Sequence, residues 1–195
     1  MAQVTGLLTS LALAALLSFV PATGRVVSEG PPAGTWHIDP SRSMVQFTVT
    51  KLGFADVTGV FRAFHGSVRY DPAHPQNSSV EWTVRVASVE TDAANRDATL
   101  QAPEYFDVRR HPALSFRSVG VRALDAGRLQ VDGEITLKGR TRPLTIVAEP
   151  VDGGFECRFE LDRYDFDIVG GRVMSRLIGR TVRIHLVATA EQEEA

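Results

Sequence analysis

The side chains that could do chemistry are scattered along this sequence, and their spacing assembles no reaction centre. Five histidines, His37, His65, His74, His111 and His185, have no partner at ligand spacing on one helix or strand and no companion cysteine, so no metal site is expected. Ser41, Ser43, Ser115, Ser118 and Ser175 stand in no nucleophile-elbow context, and neither a GxSxG motif nor a glycine-rich phosphate loop occurs. No cofactor is expected. The single cysteine, Cys157, alternates with Phe155 and Phe159 on one apolar face, which marks a buried, inert thiol. One cysteine also excludes an intrachain disulfide, and none stands near the end of the N-terminal apolar run to carry a lipid anchor. Asn77-Ser78-Ser79 matches a glycosylation sequon and reads as a surface loop.

Two polar groupings remain. Arg96-Asp97 falls one turn into an expected helix, where it either approaches a ligand headgroup, with Asp97 as acceptor, or forms an ion pair or cap that fixes the helix. Arg109, Arg110, Arg140 and Arg142 could line a cationic mouth for a pyrophosphate or phenol head, although solvated loop charges are the commoner outcome. The 21 basic residues are dispersed, the net charge is -2 and the only charge run is the acidic terminus, so nucleic acid is not an expected partner.

The elements that carry these residues are strands. Val45, Phe47 and Val49 alternate with Gln46, Thr48 and Thr50, and Val80, Trp82, Val84 and Val86 alternate with Glu81, Thr83 and Arg85. The strictest run sets Leu129, Val131, Gly133, Ile135 and Leu137 against Gln130, Asp132, Glu134, Thr136 and Lys138. Such alternation belongs to antiparallel sheet with one wet face, because parallel strands covered on both sides read as continuous apolar runs. Further strands are expected at 114–121, 144–148, 155–161 and 182–190, with turns at 125–127, 138–140 and 152–154. Phe61 and Phe64, three apart within 59–66, break the period and suggest a helical turn or bulge. A helix over about 94–101 is expected, capped by Thr91 or Asp92 and limited by Pro103. About eight short antiparallel strands with one or two small helices, in 195 residues, predict a single all-β domain, a closed barrel in preference to a sandwich.

The apolar run from Leu7 to Val20, followed by Pro21, Ala22, Thr23 and Gly24, reads as a cleavable export signal ending at Ala22 or Gly24, its positive charge supplied by the terminal amine alone. The expected organisation is a signal at 1–24, a flexible segment at 25–34, the barrel at 35–190 and an acidic tail at 191–195, with a periplasmic or secreted location.

Four stretches together resemble the YceI family of lipid-binding periplasmic proteins. They are WHIDPSRSMVQFTVTKLGFADVTGVFRAFHGSVRYD (36–71), TDAANRDATLQAPEYFDVRRHPALSFRS (91–118), LQVDGEITLKGRTRPLTI (129–146) and, more weakly, RYDFDIVGGRVMSRLIGRTVRIHLVATAE (163–191). In the second, Arg96-Asp97, Leu100, Phe106-Asp107, Pro112 and Phe116 sit at the family's spacing. Arg42 and Lys51 stand where the family often has histidines, and Arg180 where it often has aspartate. The resemblance implies an extended, lipocalin-like antiparallel β-barrel that encloses a polyisoprenoid chain, such as the tail of a quinone or prenyl lipid, and catalyses nothing. The lining expected on that basis is Phe47, Val49, Phe54, Phe61, Phe64, Trp82, Val84, Phe106, Phe116, Ile135, Phe166 and Leu177, with Arg96, Asp97 and Arg142 as headgroup contacts. Transient membrane contact and a homodimer are compatible with that role. The same apolar residues could instead fill a dry core. Two other classes fit the alternation. One is an integral eight-stranded membrane barrel, disfavoured by two tryptophans and three tyrosines for two aromatic girdles. The other is an enzyme acting on an apolar, isoprenoid-like substrate, for which no coherent catalytic set is present.

Overall fold

The strict alternation around Ile135 becomes strand β8 (Leu129–Leu137), whose odd-numbered residues are buried while the polar residues between them are half-buried or exposed. In the computed structural model, which describes residues 31, 33–171 and 174–191, the other strands are β1 (Gly34–His37), β2 (Met44–Lys51), β3 (Ala55–Phe61), β4 (Phe64–Tyr70), β5 (Ser79–Arg85), β6 (Val89–Glu90), β7 (Ala113–Ala123), β9 (Arg140–Val151), β10 (Gly154–Asp162) and β11 (Ile178–Thr189). Two short α-helices, α1 (Ala94–Leu100) and α2 (Met174–Leu177), and four 3-10 turns, at Pro75–Asn77, Val86–Ser88, Asp125–Gly127 and Arg163–Phe166, complete the described elements. The expected signal at 1–24, most of the expected flexible segment at 25–34 and all but Glu191 of the acidic tail lie outside the described residues.

All strand pairs are antiparallel, in the order β1-β4-β5-β7-β8-β9-β10-β11-β2-β3-β6. Eleven strands among the described residues exceed the eight expected, and the reason is a corner. At Arg62-Ala63 the chain bends between β3 and β4, and at 86–88 it bends between β5 and β6, so each pair is one strand broken in two. Ser88 pins both bends, since its carbonyl accepts from Arg62 N and its hydroxyl from Ala63 N, while Arg85 N donates to the Ala63 carbonyl. Counted this way, β2, β3/β4, β5/β6 and β7 to β11 form an eight-membered ring of pairing, and β1 adds a short extra strand on β4. The period break at Phe61 and Phe64 is therefore this corner: Phe61 ends β3 and Phe64 begins β4.

Turn chemistry sets the registers. Lys138 and Gly139, both at positive φ, join β8 to β9 in the two-residue hairpin that matches strand twist. Helix α1 has Ala93 as its N-cap, with no side chain capping it. Thr91 is not the cap because its hydroxyl donates to Asp97 and accepts from Arg96 Nε, which ties the helix back to the end of β6.

The apolar face of each strand looks inward. Val45, Phe47, Phe61, Leu114, Phe116, Val131, Ile135, Ile146, Phe155, Cys157 and Leu186 are all buried in one cluster, while Gln130, Asp132, Glu134 and Thr136 alternate with them toward solvent. This is the arrangement of a water-soluble barrel wall, opposite to the lipid-facing apolar band of a membrane barrel.

Candidate functional site

The barrel interior is neither hollow throughout nor solid. At the end carrying α1 an apolar cavity of about 120 Å³ is walled by Phe47, Val49, Phe61, Leu100, Tyr105, Phe106, Leu114, Leu137, Leu161, Arg163, Phe166, Ile168, Ile178, Val182 and Ile184. Its aromatic wall is a continuous row: Phe47 and Phe61 have ring centroids 5.5 Å apart, and Phe61 and Phe106 are 5.9 Å apart. Gly59 makes room for this row, because a Cβ there would lie 2.4 Å from Cζ of Phe47.

A cleft of about 460 Å³ lies against the cavity and shares the wall residues Phe47, Val49, Leu100, Tyr105 and Ile178 with it. Its remaining wall is mixed: Lys51, Val57, Thr91, Asn95, Arg96 and Thr99. Helix α1 positions this rim. Residues four apart share a helix face, so Arg96 and Leu100 stack, the first at the polar rim and the second against the cavity. The site therefore grades from a cationic, hydroxyl-bearing entrance to a wall of carbon.

Arg163, which sequence reasoning missed, organises another part of the cavity wall. It is only 5% exposed. Its Nε donates to the Gly179 carbonyl at 2.9 Å, Nη1 to Ile168 and Val169, and Nη2 to Ser175 and Ile178, with the Tyr164 hydroxyl at 3.4 Å. The guanidinium also lies 4.5 Å from the Tyr164 ring centroid. Five donors in a fixed fork are thus spent on backbone carbonyls of the 168–179 segment, which holds Phe166, Ile168 and Ile178 in the cavity wall. Beside it, burial pushes the Asp162 carboxyl up, but hydrogen bonds from Arg180 and from Tyr164 N outweigh this and hold it below the usual carboxylate range.

A second void of about 60 Å³ occupies the other half of the barrel, among Trp36, Val68, Trp82, Val131, Phe155, Cys157 and Leu186, and shares no wall residue with the first. Phe116, stacked on Trp82 with centroids 6.0 Å apart, and fully buried Val84 and Ile135 fill the barrel between them. Burial pushes the Cys157 thiol up to about 12, helped by Glu156 and Glu149. Trp36 Nε1 is buried with no hydrogen-bond partner among the described residues.

The expected lining divides accordingly. Phe47, Val49, Phe61, Phe106 and Phe166 wall the larger cavity, and Trp82 walls the smaller one. Val84, Phe116 and Ile135 are packing, not lining, because they are buried and border neither void. Phe64 is partly buried against the core and borders neither void. Leu177 is partly buried, and its carbonyl accepts from Leu52 N while the adjacent Ile178 takes the cavity wall. Phe54 is wrong for a lining residue: at 82% exposed it projects from the β2–β3 hairpin into solvent. Of the headgroup candidates, Arg96 is on the cleft wall, with Nε and Nη2 bonded to Thr91. Asp97 accepts from Thr91 N at 2.9 Å and from its hydroxyl, so both are engaged in holding α1. Arg142 is bonded to the neighbouring Thr141 carbonyl and borders neither the cavity nor the cleft.

The model of the YceI-like domain family matches residues 36–190, which takes in every strand but the first two residues of β1. This chain belongs to the YceI-like domain family. A UPF0312 protein of Ectopseudomonas mendocina is 32% identical to it over 136 residues, 65% of this chain and 71% of that one. Protein YceI of Salmonella arizonae is 30% identical over 165 residues, 78% of this chain and 86% of that one. Among solved structures, BcnA of Burkholderia cenocepacia superposes with a TM-score of 0.74 at 22% identity, covering 79% of this chain and 99% of that one. A polyisoprenoid binding domain from Saccharophagus degradans, implicated in plant cell wall breakdown, superposes with a TM-score of 0.62 at 14% identity over 82% and 100% of the two chains. At these identities the structural likeness establishes a shared fold, the YceI-like antiparallel barrel.

Proposed function

We propose that the protein is a non-catalytic carrier that takes up an isoprenoid chain, the tail of a quinone or prenyl lipid, through the α1 cleft with its end in the apolar cavity. The observation that carries this reading is a polar-rimmed cleft that shares five wall residues with an apolar cavity whose only charged wall residue among the described residues, Arg163, has its donors committed to backbone. A dry apolar void of about 150 Å³ is enough to take a benzene-sized group. The inner cavity, at about 120 Å³, therefore suits roughly one isoprene unit, and the cleft accommodates the units that follow. Together the two spaces fall in the range of about 300–1,000 Å³ that holds drug-sized ligands. Each buried methylene contributes about 0.8 kcal/mol before ordering costs, so a few units suffice for useful affinity. The polyisoprenoid binding named for the Saccharophagus degradans domain supports the same ligand class here.

Lys51 and Arg96 at the rim suit an oxygen-bearing head, and among the described residues Nη1 of Arg96 has no hydrogen-bond partner that would compete for it. The same reading places the protein in the periplasm or outside the cell, exported through Leu7–Val20, a segment outside the described residues. The test is purification without detergent, followed by native mass spectrometry and solvent extraction. A prenyl quinone or prenyl lipid at up to one per chain is expected. Protein that is bare as isolated and takes up no added prenyl quinone contradicts the proposal.

A further inference from the structure

Exposed large apolar side chains are few among the described residues, and their placement is uneven. Leu52 is 49% and Phe54 82% exposed at the tip of the β2–β3 hairpin, and Val169 is 39% exposed in the segment held by Arg163. Val119, on the bulge of β7, is the remaining one. The first three lie beside residues that wall the cleft or the cavity: Leu52 and Phe54 follow Lys51, and Val169 follows Ile168. Lys51, which walls the cleft, pairs with Ile178 of the cavity wall, Leu52 N donates to the Leu177 carbonyl, and Arg163 bonds both Val169 and Ile178.

The hairpin tip is also an unexpected place for a leucine. Leu52 has φ of 57° and Gly53 of 77°, and glycine, asparagine or aspartate is the comfortable occupant of such positions. Leucine at Leu52 strains the turn and buries little, so folding does not account for it. The charges beside the tip complete the pattern. Lys51 and, on α2, Arg176 make no ion pair among the described residues, whereas the nearby acids Asp56 and Asp162 are engaged by Arg183 and Arg180.

We propose that Leu52, Phe54 and Val169, flanked by Lys51 and Arg176, form a docking surface for an anionic lipid bilayer that brings the cleft mouth against the membrane. An aromatic and an aliphatic side chain enter the interfacial layer, and the free cations meet lipid phosphates. This rests on reading the cleft as the entrance for a lipid tail: docking at that end lets a tail pass from bilayer to cavity without crossing water.

The experiment is flotation of the exported, processed protein with vesicles of phosphatidylcholine, with and without phosphatidylglycerol. Wild-type protein is expected to float with the anionic vesicles and to lose binding at high salt. The double variant Leu52→Ser/Phe54→Ser should lose about tenfold or more in partition, as burial of one large apolar side chain implies. Val119→Ser, at an exposed apolar residue away from the cleft, should float like wild type. Absence of wild-type flotation, equal flotation of the double variant, or an equal loss in Val119→Ser overturns the proposal. So does a concentration-dependent dimer abolished by Phe54→Ser without vesicle binding, which would make the patch a self-association surface. Uptake of a short-chain prenyl quinone delivered from ethanol, without vesicles, separates the two ideas. Uptake by wild type and double variant alike leaves the carrier reading intact whatever the flotation shows, and its loss in both counts against the carrier reading alone.

Discussion

Two glycines on the inner wall should respond differently to the same added methyl group. A Cβ at Gly59 would lie 2.4 Å from Cζ and 2.7 Å from Cε1 of Phe47, and 2.7 Å from the Thr91 methyl. Carbon atoms rest about 3.5–4.0 Å apart, so a neighbour must retreat by more than an ångström. Phe47 has somewhere to go, because its ring borders the 120 Å³ cavity. At Gly133 the Cβ would meet Cζ of Phe116 at 2.4 Å and the Arg117 backbone carbonyl at 2.6 Å. Neither yields easily, since Phe116 is stacked on Trp82 and Arg117 is fixed in the β7–β8 ladder. Overpacking costs typically about 1–3 kcal/mol, which places Gly59→Ala in the lower part of that range and Gly133→Ala at or above its top. Urea unfolding with unchanged m value reads the difference. Gly59→Ala should also weaken uptake of a prenyl quinone, because the displaced ring takes cavity volume, whereas Gly133→Ala should leave uptake near wild type. A larger stability loss at Gly59 than at Gly133, or full uptake by Gly59→Ala, would refute the picture of a yielding ring beside a real cavity.

Three other outcomes follow from the same geometry. Arg163→Met strands carbonyls of the 168–179 segment, at roughly 1–3 kcal/mol for each one kept from water, and should lower the thermal midpoint and the uptake together; loss of neither would mean the clamp is dispensable. Phe116→Ala should cost about 3–5 kcal/mol and join the two voids, so that a longer prenyl chain is retained than by wild type, as read by mass of the bound species. Cys157 should resist a thiol-specific disulfide reagent at pH 8 until the protein is unfolded. Because its folded pKa is raised from 9.0 to about 12, the native state holds the proton more tightly than the unfolded state, and this contribution to stability is complete below pH 9 and lost as pH rises toward 12.

Much of the architecture is legible in the chain because alternation is a local signal. β8 reads directly from Leu129 to Leu137, and the Lys138-Gly139 turn names its own hairpin. The corner at Arg62-Ala63 leaves only a stumble in the period, since Ser88, which fixes it, is some 25 residues away along the chain. The β2–β3 hairpin is hidden for a different reason: Leu52 occupies a positive-φ position that turn residues usually advertise. The site is less legible than the fold. Phe47 and Phe116 have the same chemistry on the same kind of inward face, yet one borders a cavity and the other separates two, a distinction decided by what lies across the barrel. Phe54 shows that apolar character does not reveal direction at a hairpin tip. Arg163 gives no signal at all, because the carbonyls it serves belong to a segment whose path only the fold defines.

The central claim is that an isoprenoid tail occupies the cavity beside α1. A prenyl alcohol bearing a photoactivatable diazirine at its tail end, loaded onto detergent-free protein and mapped by peptide mass spectrometry after irradiation, tests this directly. Adducts on Phe47, Phe61, Phe106, Phe166, Ile178 or Ile184 are the predicted result. Adducts confined to the outer faces of the strands, or labelling that excess unlabelled prenyl quinone fails to reduce, would contradict it.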